Sequence, residues 1–183
     1  MENTEKKLCI LFPGVGYNTD RPLLYYSGKR MRQKGYEISC VSYHDLPEKI
    51  GSDSEKMKLA FEIALSQAVE QLKAIDLGQY SQILLIGKSI GTAVAAAAGE
   101  KLLLKNASYI YLTPLEITFR YAKESSGIAF HGTSDPWVET GIVKEGCERL
   151  SIPLHIYEGA NHSLETGDIL RDIDILKDCI EKL

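Results

Sequence analysis

The apolar run Ile83-Leu84-Leu85-Ile86 leads straight into Gly87-Lys88-Ser89-Ile90-Gly91, and a small-residue helical pattern from Thr92 to Ala98 follows at once. A strand, a Gly-x-Ser-x-Gly turn and a helix in immediate succession form a nucleophile elbow, a strained turn that pushes one serine out of the backbone. Side chains at 87 and 91 would collide with the neighbouring strand and helix, so glycine belongs at both. The order Ser-Ile-Gly-Thr lacks the Gly-Lys-Ser/Thr order of a phosphate-cradling loop, which argues against a nucleotide site here.

Other strand and helix patterns alternate along the rest of the chain. Short runs rich in Ile, Leu, Val and Tyr predict strands at Leu8–Phe12, Glu37–Ser42, Ile83–Ile86, Tyr109–Leu112, Ile128–Phe130 and Leu154–Tyr157. Helical patterns fill the gaps at Arg21–Lys34, closed by Gly35, and at Ser54–Ile75, Ile90–Leu104, Val138–Leu150 and Gly167–Leu183. In the second of these, Met57, Phe61, Ala64, Leu65, Ala68, Leu72 and Ile75 make one apolar stripe, and Asp53 or Ser54 caps its start. Such alternation predicts a parallel sheet covered on both faces, with right-handed crossovers and chemistry beyond the carboxyl ends of the strands.

Serine needs a base, and the base needs a group that fixes its tautomer. Both follow the elbow at later strand ends. One apolar run enters His131-Gly132-Thr133-Ser134-Asp135-Pro136, and another enters Glu158-Gly159-Ala160-Asn161-His162-Ser163. The expected nucleophile, acid and base are Ser89, Asp135 and His162, in the α/β-hydrolase chain order. Glu116, just past the fourth strand, is the rival acid. Of the other histidines, His131 is expected to pack or hydrogen-bond, His155 lies inside a strand, and His44, just past a strand end, is read as part of a solvated loop, with a place lining the mouth of the site as the alternative.

These motifs resemble those of a small α/β-hydrolase, and the likeness runs over nearly the whole chain. Phe12-Pro13-Gly14-Val15-Gly16-Tyr17 is similar to the loop that supplies part of the oxyanion hole, although Pro13 stands where many members carry the His of a His-Gly pair. The two leading strands of the family have no counterpart, so a trimmed sheet of about six strands is expected. Pro114–Ser126 is short where other members insert a lid. The resemblance implies an acyl-enzyme mechanism at Ser89, with the oxyanion held by the backbone N–H groups of Ile90 and Val15.

Around that site Gly14, Gly16, Tyr17, Lys88 and Trp137 are the candidate pocket residues. Lys88 is read either as a solvent-exposed side chain or as an attractor of acidic substrates. Tyr25 and Tyr26 are read as core, with an aromatic wall around the pocket as the alternative, and the alanine-rich stretch 93–98 as the close-packing face of a helix.

With 183 residues, 44% of them hydrophobic, the chain suits a single domain spanning 1–183 with a sizeable core. A net charge of −4 and scattered basic residues give no footprint for nucleic acid. No apolar stretch is long enough to cross a bilayer, and the polar start from Met1 to Lys7 reads as the lead into a first strand, not a signal peptide. Four well-separated cysteines read as reduced thiols in a cytoplasmic protein. No His/Cys/Asp cluster has metal-ligand spacing, so neither a metal nor a cofactor is expected. The implied partner is a small soluble acyl compound, and a homodimer through an edge strand is the generic form of self-association open to such a sheet. Three activities share these residues: ester hydrolysis first, then thioester or amide cleavage, then a binding role without catalysis.

Overall fold

The computed structural model describes residues 5–48, 50 and 53–183, so the first four residues of the polar Met1 to Lys7 segment lie outside it. Six strands, β1 (Lys7–Phe12), β2 (Tyr36–Cys40), β3 (Gln82–Lys88), β4 (Ala107–Leu112), β5 (Gly127–Gly132) and β6 (Leu154–Tyr157), form one sheet in the order β2-β1-β3-β4-β5-β6. Every neighbouring pair is parallel. The helices are α1 (Pro22–Gln33), α2 (Ser54–Lys73), α3 (Ile90–Lys101), a short α4 (Thr118–Tyr121), α5 (Thr140–Arg149) and α6 (Ile169–Glu181).

Strand alternation sorts the core into two layers. Leu8, Ile10, Phe12, Leu85, Tyr109, Tyr111 and Ala129 face one way, against α2, α3 and α5. Cys9, Leu11, Leu84, Ile86, Ile110, Leu112 and Phe130 face the other, against α1 and α6. Both faces are covered, which is why the inner strands read as continuous apolar runs. Helix α3 is buried from Ile90 to Gly99, pressed between the sheet, α2 and α4. That placement explains its run of glycines and alanines, and only Glu100 and Lys101 at its end are exposed.

The expected helices form with trimmed ends. Asp53 caps α2 by accepting from the N–H groups of Glu55 and Lys56. Asp168 caps α6 in the same way, through Leu170 and Arg171. Helix α5 begins at Thr140 rather than Val138 because the Asp135-Pro136-Trp137 turn takes up the chain first. Two single turns, α4 and a 3-10 turn at Leu77–Gln79, are too short to leave a periodic signal. Among the described residues no helix is long and apolar enough to cross a membrane.

Candidate active site

Strand β3 lies between β1 and β4 in the sheet, and its last residue, Lys88, hands the chain to Ser89. Ser89 takes φ 57° and ψ −125°, a conformation that L residues avoid, and opens α3 directly. The turn is held by Ser89 N–H donating to Leu112 O at 3.0 Å, and by Thr92 N–H and Oγ1–H donating to Ser89 O at 2.9 and 2.6 Å. Space around it is minimal. A Cβ on Gly87 would stand 2.5 Å from Gly91 O, and one on Gly91 would stand 2.5 Å from Pro13 O. The two glycines are therefore required by the packing of β3, α3 and the chain leaving β1.

Asp135 follows β5 and His162 follows β6. His162 Nδ1 lies 2.7 Å from Asp135 Oδ2, and His162 Nε2 lies 2.8 Å from Ser89 Oγ. A carboxylate only accepts, so Nδ1 carries the proton and Nε2 is left to accept from the serine hydroxyl. The three side chains expected from the sequence thus meet in one line, from positions 73 and 27 residues apart. The Asp135 side chain is wholly buried, and its other oxygen accepts from Trp137 N–H at 2.9 Å. Burial lowers the His162 pKa below the ordinary imidazole value. The Asp135 hydrogen bond pulls it up, and the Lys88 charge pushes it further down.

The backbone N–H groups of Ile90 and Val15 make no hydrogen bond among the described residues. Ile90 is the first residue of α3, so its N–H sits at the positive end of the helix dipole. Gly14 N–H, by contrast, is used: it donates to Tyr17 O at 3.0 Å and so ties the loop after β1 into a turn. That loop comes close to the elbow, since a Cβ on Gly14 would sit 3.1 Å from both Lys88 O and Ser89 Cβ.

A cavity of about 260 Å³ opens on Ser89 and His162, walled by Val15, Ile50, Met57, Ile90 and Trp137. The Trp137 ring stands 6.0 Å from the His162 ring, and the residue is 46% exposed. Its other walls are aliphatic or thioether groups, so the space suits an apolar group. A second, more polar cleft of about 400 Å³ shares Val15 and is lined also by Gly14, Gly16, Asn18, Thr19, Arg21 and the segment after β2.

Several expectations about the pocket need correction. Gly14 and Gly16 line the polar cleft rather than the cavity at Ser89. Tyr17 lines neither; it packs against the α1/α6 layer, and its hydroxyl accepts from Leu23 N–H at 3.1 Å. Lys88 is neither solvent-exposed nor a lure at the mouth. It is 1% exposed, because strand alternation turns it inward beside Leu84 and Ile86. Tyr25 and Tyr26 are surface residues packed on each other at 5.1 Å, not core. Ile50 and Met57 are wall residues that the sequence did not reveal. Ile50 stands alone in an irregular stretch, and Met57 read as one more residue of a helical stripe.

The remaining candidates fall away from the reacting line. Glu116 is exposed and borders a separate surface hollow with Phe119 and Arg120. His155 stacks on Phe130 within β6. His44 is exposed, and its backbone is held by Gln67. His131 is buried, with Nε2 3.0 Å from Thr140 Oγ1 and Nδ1 3.8 Å from Asp135 Oδ2. Among the described residues no group of three or more His, Cys, Asp or Glu is placed to hold a metal ion.

No family model matches the sequence, and no curated protein is significantly similar to it. Solved structures do resemble it. A serine hydrolase homologue of the α/β class from Coxiella burnetii superposes with a TM-score of 0.64 at 16% identity, over 100% of this chain and 88% of that one. An α/β serine hydrolase without a lid from Xanthomonas campestris gives 0.61 at 14%, over 100% and 85%. Est1E from Butyrivibrio proteoclasticus, solved with ferulic acid bound, gives 0.65 at 12%, over 98% and 91%. Strand order, an elbow after β3 and full-length superposition agree: this chain has the α/β-hydrolase fold.

Proposed function

We propose that the protein is a serine hydrolase that cleaves carboxylic esters of small acyl groups. The observation that carries the proposal is the unbroken line from Asp135 through His162 to Ser89, ending in an apolar cavity. In this reading Ser89 Oγ attacks the acyl carbonyl while His162 Nε2 takes its proton. The same proton then goes to the departing alcohol, and Asp135 steadies the imidazolium in between. The N–H groups of Ile90 and Val15 receive the developing oxyanion, each donor being worth about 3 kcal/mol of barrier. Water, deprotonated by the same imidazole, then releases the acid and restores Ser89. The acyl chain occupies the cavity between Val15, Ile50, Met57, Ile90 and Trp137. The proposal extends to a cytoplasmic enzyme working with its four thiols unpaired.

Labelling with a fluorophosphonate tests this. The wild type is expected to take up one equivalent, and Ser89→Ala none. Equal labelling of both, or turnover of short-chain esters that survives Ser89→Ala, would overturn the assignment. A panel of ester, thioester and amide substrates sharing one acyl group then fixes the bond cleaved, with the ester expected to turn over fastest.

A further inference from the structure

Lys88 is a charged side chain held where charge is costly. It is the last residue of a strand paired on both sides, and its neighbours on the same face are Leu84 and Ile86. The ammonium is therefore carried down into the layer between the sheet and α1, beneath the turn that presents Ser89. Among the described residues no carboxylate pairs with it. Its one close contact of a cation-stabilising kind is the face of Tyr17, with Nζ 4.9 Å from the ring centroid. That ring is itself fixed, because its hydroxyl accepts from Leu23 N–H. A buried ammonium with only an aromatic face for company is a costly way to fill space, and Met would fill it without the cost.

Beyond that contact, the charges that act on it come from neighbouring loops. The loop after β1 brings Tyr17. The loop after β5 brings Asp135, which His131 also faces, with Nδ1 3.8 Å from Oδ2. The loop after β6 brings His162, and Glu165 bears on Tyr17. Asp135 accepts from His162 with one oxygen and from the Trp137 N–H with the other, and it forms no ion pair with Lys88 among the described residues. The lysine thus acts on the Asp135–His162 pair through space and not by a bond. We propose that Lys88 is a positioning residue of the proton-transfer line: its ammonium, walled in by the Tyr17 ring, opposes a second positive charge on the His162 imidazole and so keeps that base uncharged into more acidic solution.

The device has its own limit. Burial pulls the Lys88 pKa down to about 7, with Asp135 acting the other way, so the lysine gives up its proton as solution passes neutrality. Above that point the imidazolium formed during turnover meets no neighbouring cation. Below it, the imidazole stays neutral at rest but is harder to protonate in the reaction. Lys88 on this account widens the working range downward and leaves the alkaline plateau alone.

The inference rests on the proposed hydrolase for its consequence in rate, but not for its first test. The His162 imidazole is titrated by NMR in wild type, Lys88→Met, Lys88→Gln and Lys88→Arg, with His162→Asn for assignment. The two neutral variants are expected to raise the midpoint by about 0.5 to 1 pH unit, and Lys88→Arg to keep it low. On a short-chain ester the acid limb of kcat/KM moves up with the midpoint, and kcat at pH 9 stays within about threefold. An unchanged midpoint in both neutral variants overturns the proposal. So does an equal rise in Lys88→Arg, which would assign the effect to packing rather than charge. Absence of any ester turnover, with the midpoint moved as expected, would count against the hydrolase assignment alone.

Discussion

Asp135 contributes geometry and charge together. It holds His162 Nδ1 at 2.7 Å from inside the protein, where no water competes for the bond. An amide at 135 would present a donor as readily as an acceptor, and the imidazole would be free to turn its proton toward Ser89. Asp135→Asn is therefore expected to lower kcat by roughly 10⁴ with little change in KM, measured on a short-chain ester. Glu116→Gln, on an exposed side chain facing a different hollow, leaves kcat unchanged. The depressed His162 pKa sets the pH dependence: the base is neutral above it, so the rate falls as pH drops through a value below the ordinary 6.5. Of these residues, Ser89, Asp135 and His162 were legible in the sequence because the chemistry allows few substitutes and the strand ends fix where to look. Lys88 was misread because charge suggests water. The alternation of Leu84, Ile86 and Lys88 in a strand buried on both faces held the correction, had the strand been carried two residues further than Ile86.

The strand–elbow–helix unit is specified by volume more than by propensity. Gly91 lies where α3 meets the carbonyls of Phe12 and Pro13, so any side chain there pushes the first strand's exit away from the elbow. Gly91→Ala is expected to cost about 2–3 kcal/mol in urea unfolding, and to lower turnover because the displaced segment leads into Gly14 and Val15. Elements with long periodic patterns or strong caps, such as α2 with Asp53, were legible nearly to the residue. Those without were not. The cavity wall at Ile50 belongs to a stretch with no regular structure, where no period relates one side chain to the next. The start of α5 was displaced by a turn whose reason is a side chain, Asp135 Oδ1 holding Trp137 N–H.

At the scale of the molecule, a parallel sheet gathers its loops at one edge, and everything described at the site lies there. The fold class followed from the alternation of patterns alone, but the depth and lining of the site did not, because they depend on how loops from β1, β2, β5 and β6 settle against one another. What results is a cavity of about 260 Å³ with an exposed tryptophan at its rim. Room of that size accepts short acyl groups. Soluble esters of short acids are expected to give higher kcat/KM than long-chain emulsions, assayed side by side. Met57→Ala is expected to shift the preference toward longer chains by opening the wall.

The order of the strands across the sheet carries one more implication. The base arrives with β6, which is four residues long, lies at the margin of the sheet, and is the last strand in the chain. On the proposed reading, a copy cut short before β6 keeps Ser89 but lacks the imidazole that would activate it.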